Sequence, residues 1–245
     1  MSFDPIKIYP TKAALIEATA HRIANIAAAT LAHNDTFSIA LSGGSTPKPV
    51  YERLATEYGK ALDWSRIHLF FGDERAVAPD DEQSNFAMVK KVLIEPLKLP
   101  DENVHRMRGE DEPEAAAEAY EAEIQAHFGE TPNQLFDLNL LGMGDDGHTA
   151  SLFPNTAAIH EDKKWVVAHH VDKVDMWRIT LTPPSILRSS NIMFLISGTN
   201  KADALYEVMN GDENPNEYPA QVIARSTHEH IVWMLDVDAA AKINK

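Results

Sequence analysis

The triplet Asp146-Gly147-His148 sets a carboxylate and an imidazole around a single glycine. A histidine titrates near neutral pH and so can take and return protons there. A glycine lets the backbone turn sharply between them. The triplet lies in LLGMGDDGHTASLFP, Leu140 to Pro154, where the apolar run Phe136 to Leu141 breaks into Gly142, Gly144 and Gly147. The pattern predicts a strand, a tight turn, and a short helix over Thr149 to Leu152 that stops before Pro154. Such strand ends are where open α/β sheets bind ligands. The three glycines also match the dinucleotide fingerprint, but Pro154 disfavours a helix running on past Phe153 and the ensuing Asn155 to Lys164 is polar with no strand pattern, so a nicotinamide site is not inferred.

Two further clusters follow β-prone runs. TFSIAL (Thr36 to Leu41) leads into Ser42-Gly43-Gly44-Ser45-Thr46-Pro47 and a helix expected over Pro47 to Tyr58, with Thr46 as N-cap and proline at the first helical position. A glycine-rich loop feeding a helix amino terminus is an anion site, with free N–H groups facing the ligand. It is not a P-loop, because no Gly-Lys-Ser/Thr follows. IHLFF (Ile67 to Phe71) leads into Gly72-Asp73-Glu74-Arg75, a charged cluster at a strand end. Arg178, inside the apolar alternation WRITL, calls for an anion nearby. Lys201, on the first turn of a helix expected over Asn200 to Met209, opposes the helix dipole and points the same way.

Formal net charge is −15. A field of that sign disfavours nucleic acid and anionic membrane as partners. It also demands that a phosphorylated substrate be met by local cations, which Arg178 and Lys201 supply. No cysteine is present, so disulfides and thiolate chemistry are excluded. His169 and His170 are adjacent in a strand pattern and point to opposite faces, so no metal site is inferred from them. G-x-S-x-G is absent, which removes the nucleophile-elbow serine. What remains is general-base catalysis with water, or proton shuffling on a sugar phosphate.

The elements that must position these groups alternate along the chain. Helices are expected over Thr11 to His33, from Asn85 to about Ile94 with Ser84 as cap, over Glu114 to Phe128, and over Asp238 to Ile243. Strands are expected over Trp165 to Val171, Trp177 to Leu181, Asn191 to Ile196 and His230 to Leu235. This alternation predicts an α/β fold: three α/β/α layers, Rossmann-like, with a mostly parallel central sheet covered on both faces. Residues 1–245 read as a single catalytic domain. The start MSFDPIKIYP has no apolar signal region and no run is long enough to span a bilayer, so a cytoplasmic location is expected.

Five blocks in order, LSGGSTP, FFGDER with Ser84-Asn85, LLGMGDDGHTASLFP, RITLTPP and SGTNKADAL, resemble the 6-phosphogluconolactonase family, which belongs with the glucosamine-6-phosphate isomerase/deaminase group. The resemblance spans about Ser42 to Leu235. It implies hydrolysis of 6-phospho-D-glucono-1,5-lactone to 6-phospho-D-gluconate, the second step of the oxidative pentose phosphate pathway, with no metal or organic cofactor. It implies His148 as general base toward water, with Asp146 orienting the imidazole. Asp73 would position substrate hydroxyls or the water, and Arg75 would stabilise oxyanion charge. Gly43, Gly44, Ser45, Thr46, Arg178 and Lys201 would hold the phosphate. The deaminases carry a glutamate five residues after the histidine, where this chain has Phe153. That departure argues for the lactonase over the isomerase/deaminase. A non-catalytic sugar-phosphate sensor, the remaining alternative, would need neither His148 nor Asp73. Oligomeric state is left open.

Overall fold

A computed structural model describes residues 5–243. Residues 1–4, the start of the segment read above as lacking a signal, lie outside the described residues. Among the described residues, no helix is long and apolar enough to cross a membrane.

The chain begins with a strand the sequence pattern did not reveal, β1 (Ile6–Tyr9), whose four residues pair in parallel with the last strand, β9 (Ile231–Asp236). Helix α1 (Lys12–Leu31) follows, capped by Thr11, whose hydroxyl accepts from Ala14 N at 3.1 Å. Then come β2 (Phe37–Leu41), α2 (Lys48–Glu57), β3 (Ile67–Phe71) and β4 (Asp73–Arg75). Helix α3 (Asn85–Val89) begins at Ser84, as expected, and passes through one π turn, Lys90–Ile94, into α4 (Glu95–Leu97). The rest of the order is α5 (Pro113–Phe128), β5 (Leu138–Leu141), β6 (Val166–Val171), β7 (Met176–Leu181), α6 (Pro183–Ile186), β8 (Ile192–Ile196), α7 (Ala202–Asn210), α8 (Gln221–Ala224) and β9.

Six strands form a parallel sheet in the order β1-β9-β8-β5-β2-β3. Its strands are mostly apolar on both faces because helices cover both. Leu69, Phe71, Met193 and Leu195 pack with α1 and α2 in one core, while Phe70, Phe194 and Ile196 pack with α5 and α7 in the other. The expected three-layer architecture is therefore what the chain forms.

A second sheet was not expected. β4, β7 and β6 form an antiparallel three-stranded sheet beside the central one, with Arg75 opposite Arg178. The runs FFGDER, WVVAHHV and WRITL have strand character, but sequence pattern does not say which sheet a strand joins.

Three local expectations fail for identifiable reasons. Thr149 to Leu152 is a turn rather than a helix: Ala150 has φ 48° and Leu152 N donates to Thr149 O at 2.9 Å. The side chain of Ser151 is held instead by Asp73. Asp238 to Ile243 forms successive turns, because Ala239 N donates to the side chain of Asp236 in place of a helical carbonyl. Thr46 does not cap α2: Pro47 already has helical dihedrals and is the boundary residue, without a side-chain bond.

Candidate active site

The parallel strands end on one side of the sheet, and the turns leaving β2, β3, β5 and β8 meet there around a cavity of about 740 Å³. That volume is in the range of small-ligand sites. All ten residues singled out from the sequence line it: Gly43, Gly44, Ser45, Thr46, Asp73, Arg75, Asp146, His148, Arg178 and Lys201.

The turn after β2 is held from below by Tyr51. Its hydroxyl accepts from Ser42 N at 3.0 Å and donates to Ser42 O at 2.7 Å. Burial raises the Tyr51 phenol well above its ordinary value, so it stays a neutral strut. Gly44 adopts φ 100°, a conformation in which a side chain is strained, and the loop can then bend over the cavity.

The turn after β5 orients His148. Gly144 N donates to His148 O at 2.8 Å, closing a tight loop, and Gly147 adopts φ 77°. His148 Nδ1 lies 2.5 Å from Asp146 Oδ1. An ionised carboxylate only accepts, so Nδ1 carries the proton and Nε2 offers its lone pair. The other oxygen, Asp146 Oδ2, accepts from Lys173 Nζ at 2.6 Å. Burial alone would raise the Asp146 carboxyl, but the hydrogen bonds it accepts from His148 and Lys173 reverse that and hold it below the ordinary carboxylate range. Asp146 therefore remains anionic and fixes the tautomer. Phe153 stacks on the imidazole with ring centroids 4.0 Å apart and planes 20° apart. The position where the deaminases carry a glutamate is thus an apolar wall against the ring.

Asp73, 8% exposed, faces this turn from β4. Its Oδ2 accepts from Ser151 Oγ at 2.6 Å and its Oδ1 from Asn85 Nδ2 at 3.1 Å. Neighbouring Glu74 points away from the cavity lining and anchors α3, accepting from the backbone N of Asn85 and Phe86 and from Ser84 Oγ. Burial raises the Glu74 carboxyl, and these donors oppose the shift.

Arg75 and Arg178 stand side by side across the β4–β7 pair. Arg178 is 8% exposed, and its Nε and that of Arg75 are buried without a hydrogen-bond partner. Burial pulls the Arg178 guanidinium down from its ordinary value while Asp73 pushes it up, and it stays charged at neutral pH. Two adjacent like charges with unsatisfied donors are costly unless an anion joins them. Lys201, just before α7, lines the same cavity from the β8 side. His169 and His170 diverge, His169 to Ser151 O and His170 to Asp172, as their strand position required.

Sequence reasoning missed Lys173, 27 positions beyond its partner Asp146 and in no recognisable motif. It also missed Ser151 as the partner of Asp73, although Ser151 lies inside the glycine-rich block. A hydroxyl three residues after His148 was the available signal.

A family model described as glucosamine-6-phosphate isomerases/6-phosphogluconolactonase matches residues 10–233. A 6-phosphogluconolactonase of Nostoc sp. is 36% identical, with 98% of each chain covered. One of Synechocystis sp. is 40% identical over 84% of each chain. The solved 6-phosphogluconolactonase of Trypanosoma cruzi superposes with a TM-score of 0.86 at 29% identity, covering 100% of this chain and 99% of its own. With the five sequence blocks gathered around one cavity at the strand ends, the chain belongs to the glucosamine-6-phosphate isomerase/6-phosphogluconolactonase family.

Proposed function

We propose that this cavity hydrolyses 6-phospho-D-glucono-1,5-lactone, with His148 as general base and residues 1–245 acting as one catalytic domain in the cytoplasm. Similarity to relatives named 6-phosphogluconolactonase over nearly the whole chain supports the activity. The observation that carries the mechanism is the His148–Asp146 bond of 2.5 Å, made in the cavity that Arg75 and Arg178 also line.

The steps follow from that arrangement. His148 Nε2 takes a proton from water as the water oxygen bonds to the lactone carbonyl carbon. Asp146 compensates the imidazolium that forms. Arg75 faces the oxygen that gains negative charge. The tetrahedral intermediate collapses by breaking the bond from the carbonyl carbon to the ring oxygen, and His148 returns its proton to that oxygen. The products are a hydroxyl and a carboxylic acid, which ionises. Arg178, Lys201 and the Gly43–Thr46 turn hold the phosphate, and Asp73, locked by Ser151 and Asn85, positions substrate hydroxyls.

The isomerase/deaminase reading is disfavoured by Phe153, which supplies no carboxylate for a ring-opening relay. Purified protein is assayed for lactone hydrolysis, corrected for the spontaneous reaction, and for ammonia release from glucosamine 6-phosphate. Hydrolysis that falls to background in His148→Ala, while 6-phosphogluconate still binds, is the expected result. Ammonia release at a comparable rate, or undiminished hydrolysis in His148→Ala, refutes the proposal.

A further inference from the structure

Away from the cavity, three histidines from separate parts of the chain converge at the sheet's edge. His68 lies on edge strand β3, His105 on the segment whose backbone pairs with it (His105 N donates to Leu69 O at 2.8 Å), and His127 near the end of α5. One ring nitrogen of each lies within 4.8 Å of the others. None of the three lines the active-site cavity.

The ring nitrogens have defined roles. His105 Nδ1 lies 2.8 Å from Glu123 Oε1 and must donate to it. His105 Nε2 therefore presents a lone pair, and His68 Nδ1 sits 3.0 Å from that atom. The His127 ring makes no hydrogen bond among the described residues, and it packs against the rings of His68, His105, Phe70 and Phe128. An imidazole whose far nitrogen donates to a carboxylate is the usual outer support of a metal ligand, because it fixes the tautomer and raises ligand basicity. Phe70 stacks on His105 with centroids 4.2 Å apart and planes 9° apart, which fixes the ring's plane.

We propose that His68 Nδ1, His105 Nε2 and one ring nitrogen of His127 form a binding site for a divalent transition-metal ion of the Zn²⁺ class. Tetrahedral Zn²⁺–N bonds of about 2.0–2.1 Å place ligand nitrogens about 3.3 Å apart. The His68–His105 separation of 3.0 Å is already close to that. Small side-chain rotations bring His127 in, and solvent reaches the fourth position because His68 and His127 are only partly buried. Burial, reinforced by its two histidine neighbours, pushes His127 down to about 4, and burial also lowers His68, so neither ring carries a second, charging proton at neutral pH. Binding moves the His68 proton from Nδ1 to Nε2 without net proton release. Imidazole donors favour Zn²⁺, Co²⁺, Ni²⁺ or Cu²⁺ over Mg²⁺ or Ca²⁺. The ion would clip the edge strand to the 104–105 segment and to the end of α5, a structural role independent of the lactonase reading.

Chelator-treated full-length protein is titrated with Zn²⁺ by calorimetry, alongside His127→Gln and His68→Gln, with lactone hydrolysis measured in the same samples. These two positions are partly exposed and tolerate the amide better than buried His105; if one variant fails to fold, the other serves. One Zn²⁺ per chain, lost in each folded variant with kcat/KM unchanged, is expected. Free Zn²⁺ at roughly 100 times Kd should raise the wild-type Tm by about 5–10 °C and leave the variants' unchanged. Co²⁺ should give the visible d–d bands of four-coordination in the wild type alone. No stoichiometric binding by wild type, or undiminished binding by the variants, overturns the proposal.

Discussion

Replacing Asp146 by asparagine tests the proposed catalytic pair of Asp146 and His148 more sharply than removing it. Asp146 has two partners that differ in kind. Lys173 Nζ only donates and sits 2.6 Å from Oδ2, while Oδ1 has His148 Nδ1 at 2.5 Å and, at the longer distance of 3.2 Å, accepts from His148 N. In Asp146→Asn the amide oxygen turns to the lysine, because an NH₂ facing an ammonium would repel it. The amide NH₂ then faces His148 Nδ1, which must accept. The ring proton moves to Nε2, the atom that has to take a proton from water, and the base is disabled while the geometry is preserved. A positioned general base contributes about 10²–10⁴ in rate, or about 3–5 kcal/mol of barrier. We expect kcat of Asp146→Asn to fall by that factor with KM changed little. Asp146→Ala, which leaves the tautomer free, should retain more activity than Asp146→Asn. Asp146→Asn/Lys173→Met, in which the amide can rotate, should recover part of the loss. The assay is initial-rate lactone hydrolysis with the spontaneous reaction subtracted. A kcat within about tenfold of wild type in Asp146→Asn, or an alanine variant slower than the asparagine one, would refute the tautomer argument.

Arg178→Ala should raise KM by about 10- to 100-fold with kcat nearly unchanged, since a charged hydrogen bond to phosphate is worth about 1.5–3 kcal/mol and is made equally in ground and transition states; a loss confined to kcat would contradict the phosphate role. Gly144→Ala should reduce turnover as severely as Asp146→Asn, because the added Cβ would overlap both His148 Nδ1 and Asp146 Oδ1; steady-state kinetics on a variant with unchanged circular dichroism checks it, and wild-type kcat would contradict it. Outside the cavity lining, the Arg106 hydrogen bonds lower the Glu110 carboxyl to about 2. Its folded value lies below its unfolded one, so the stabilisation is present above about pH 4.5 and fades as pH falls toward 2. Denaturant unfolding of Glu110→Gln should show a cost of about 0.5–1 kcal/mol at pH 7, as for a largely solvated pair, that shrinks below pH 4; a cost independent of pH would contradict the ion pair.

The strand-end clusters were legible in sequence because each is contiguous and each follows an apolar run. Glycine, the acid–base residues and the hydroxyls sit within a few positions of one another in Ser42–Thr46, Gly72–Arg75 and Asp146–His148. The parallel sheet was legible for a similar reason, since strands buried on both faces must be largely apolar, as β8 is throughout and β2 and β9 are apart from Ser38 and Asp236. Helix Lys12–Leu31 and the Ser84 cap followed from local patterns and appeared where expected.

What sequence order could not carry is contact between distant positions. The second sheet, which sets Arg75 beside Arg178, depends on β4 leaving the edge of the central sheet to pair with β7 across about a hundred intervening residues. The same holds for Lys173 on Asp146, Ser151 on Asp73, Phe153 against the imidazole, and His68, His105 and His127 at the far edge. Residue types and spacing along the chain thus determined the chemistry available and the layers that bear it. Tertiary packing alone decided which nitrogen of His148 faces Asp146, which arginines stand side by side, and which histidines meet, because those outcomes turn on ångström-scale distances between segments that are remote in the chain.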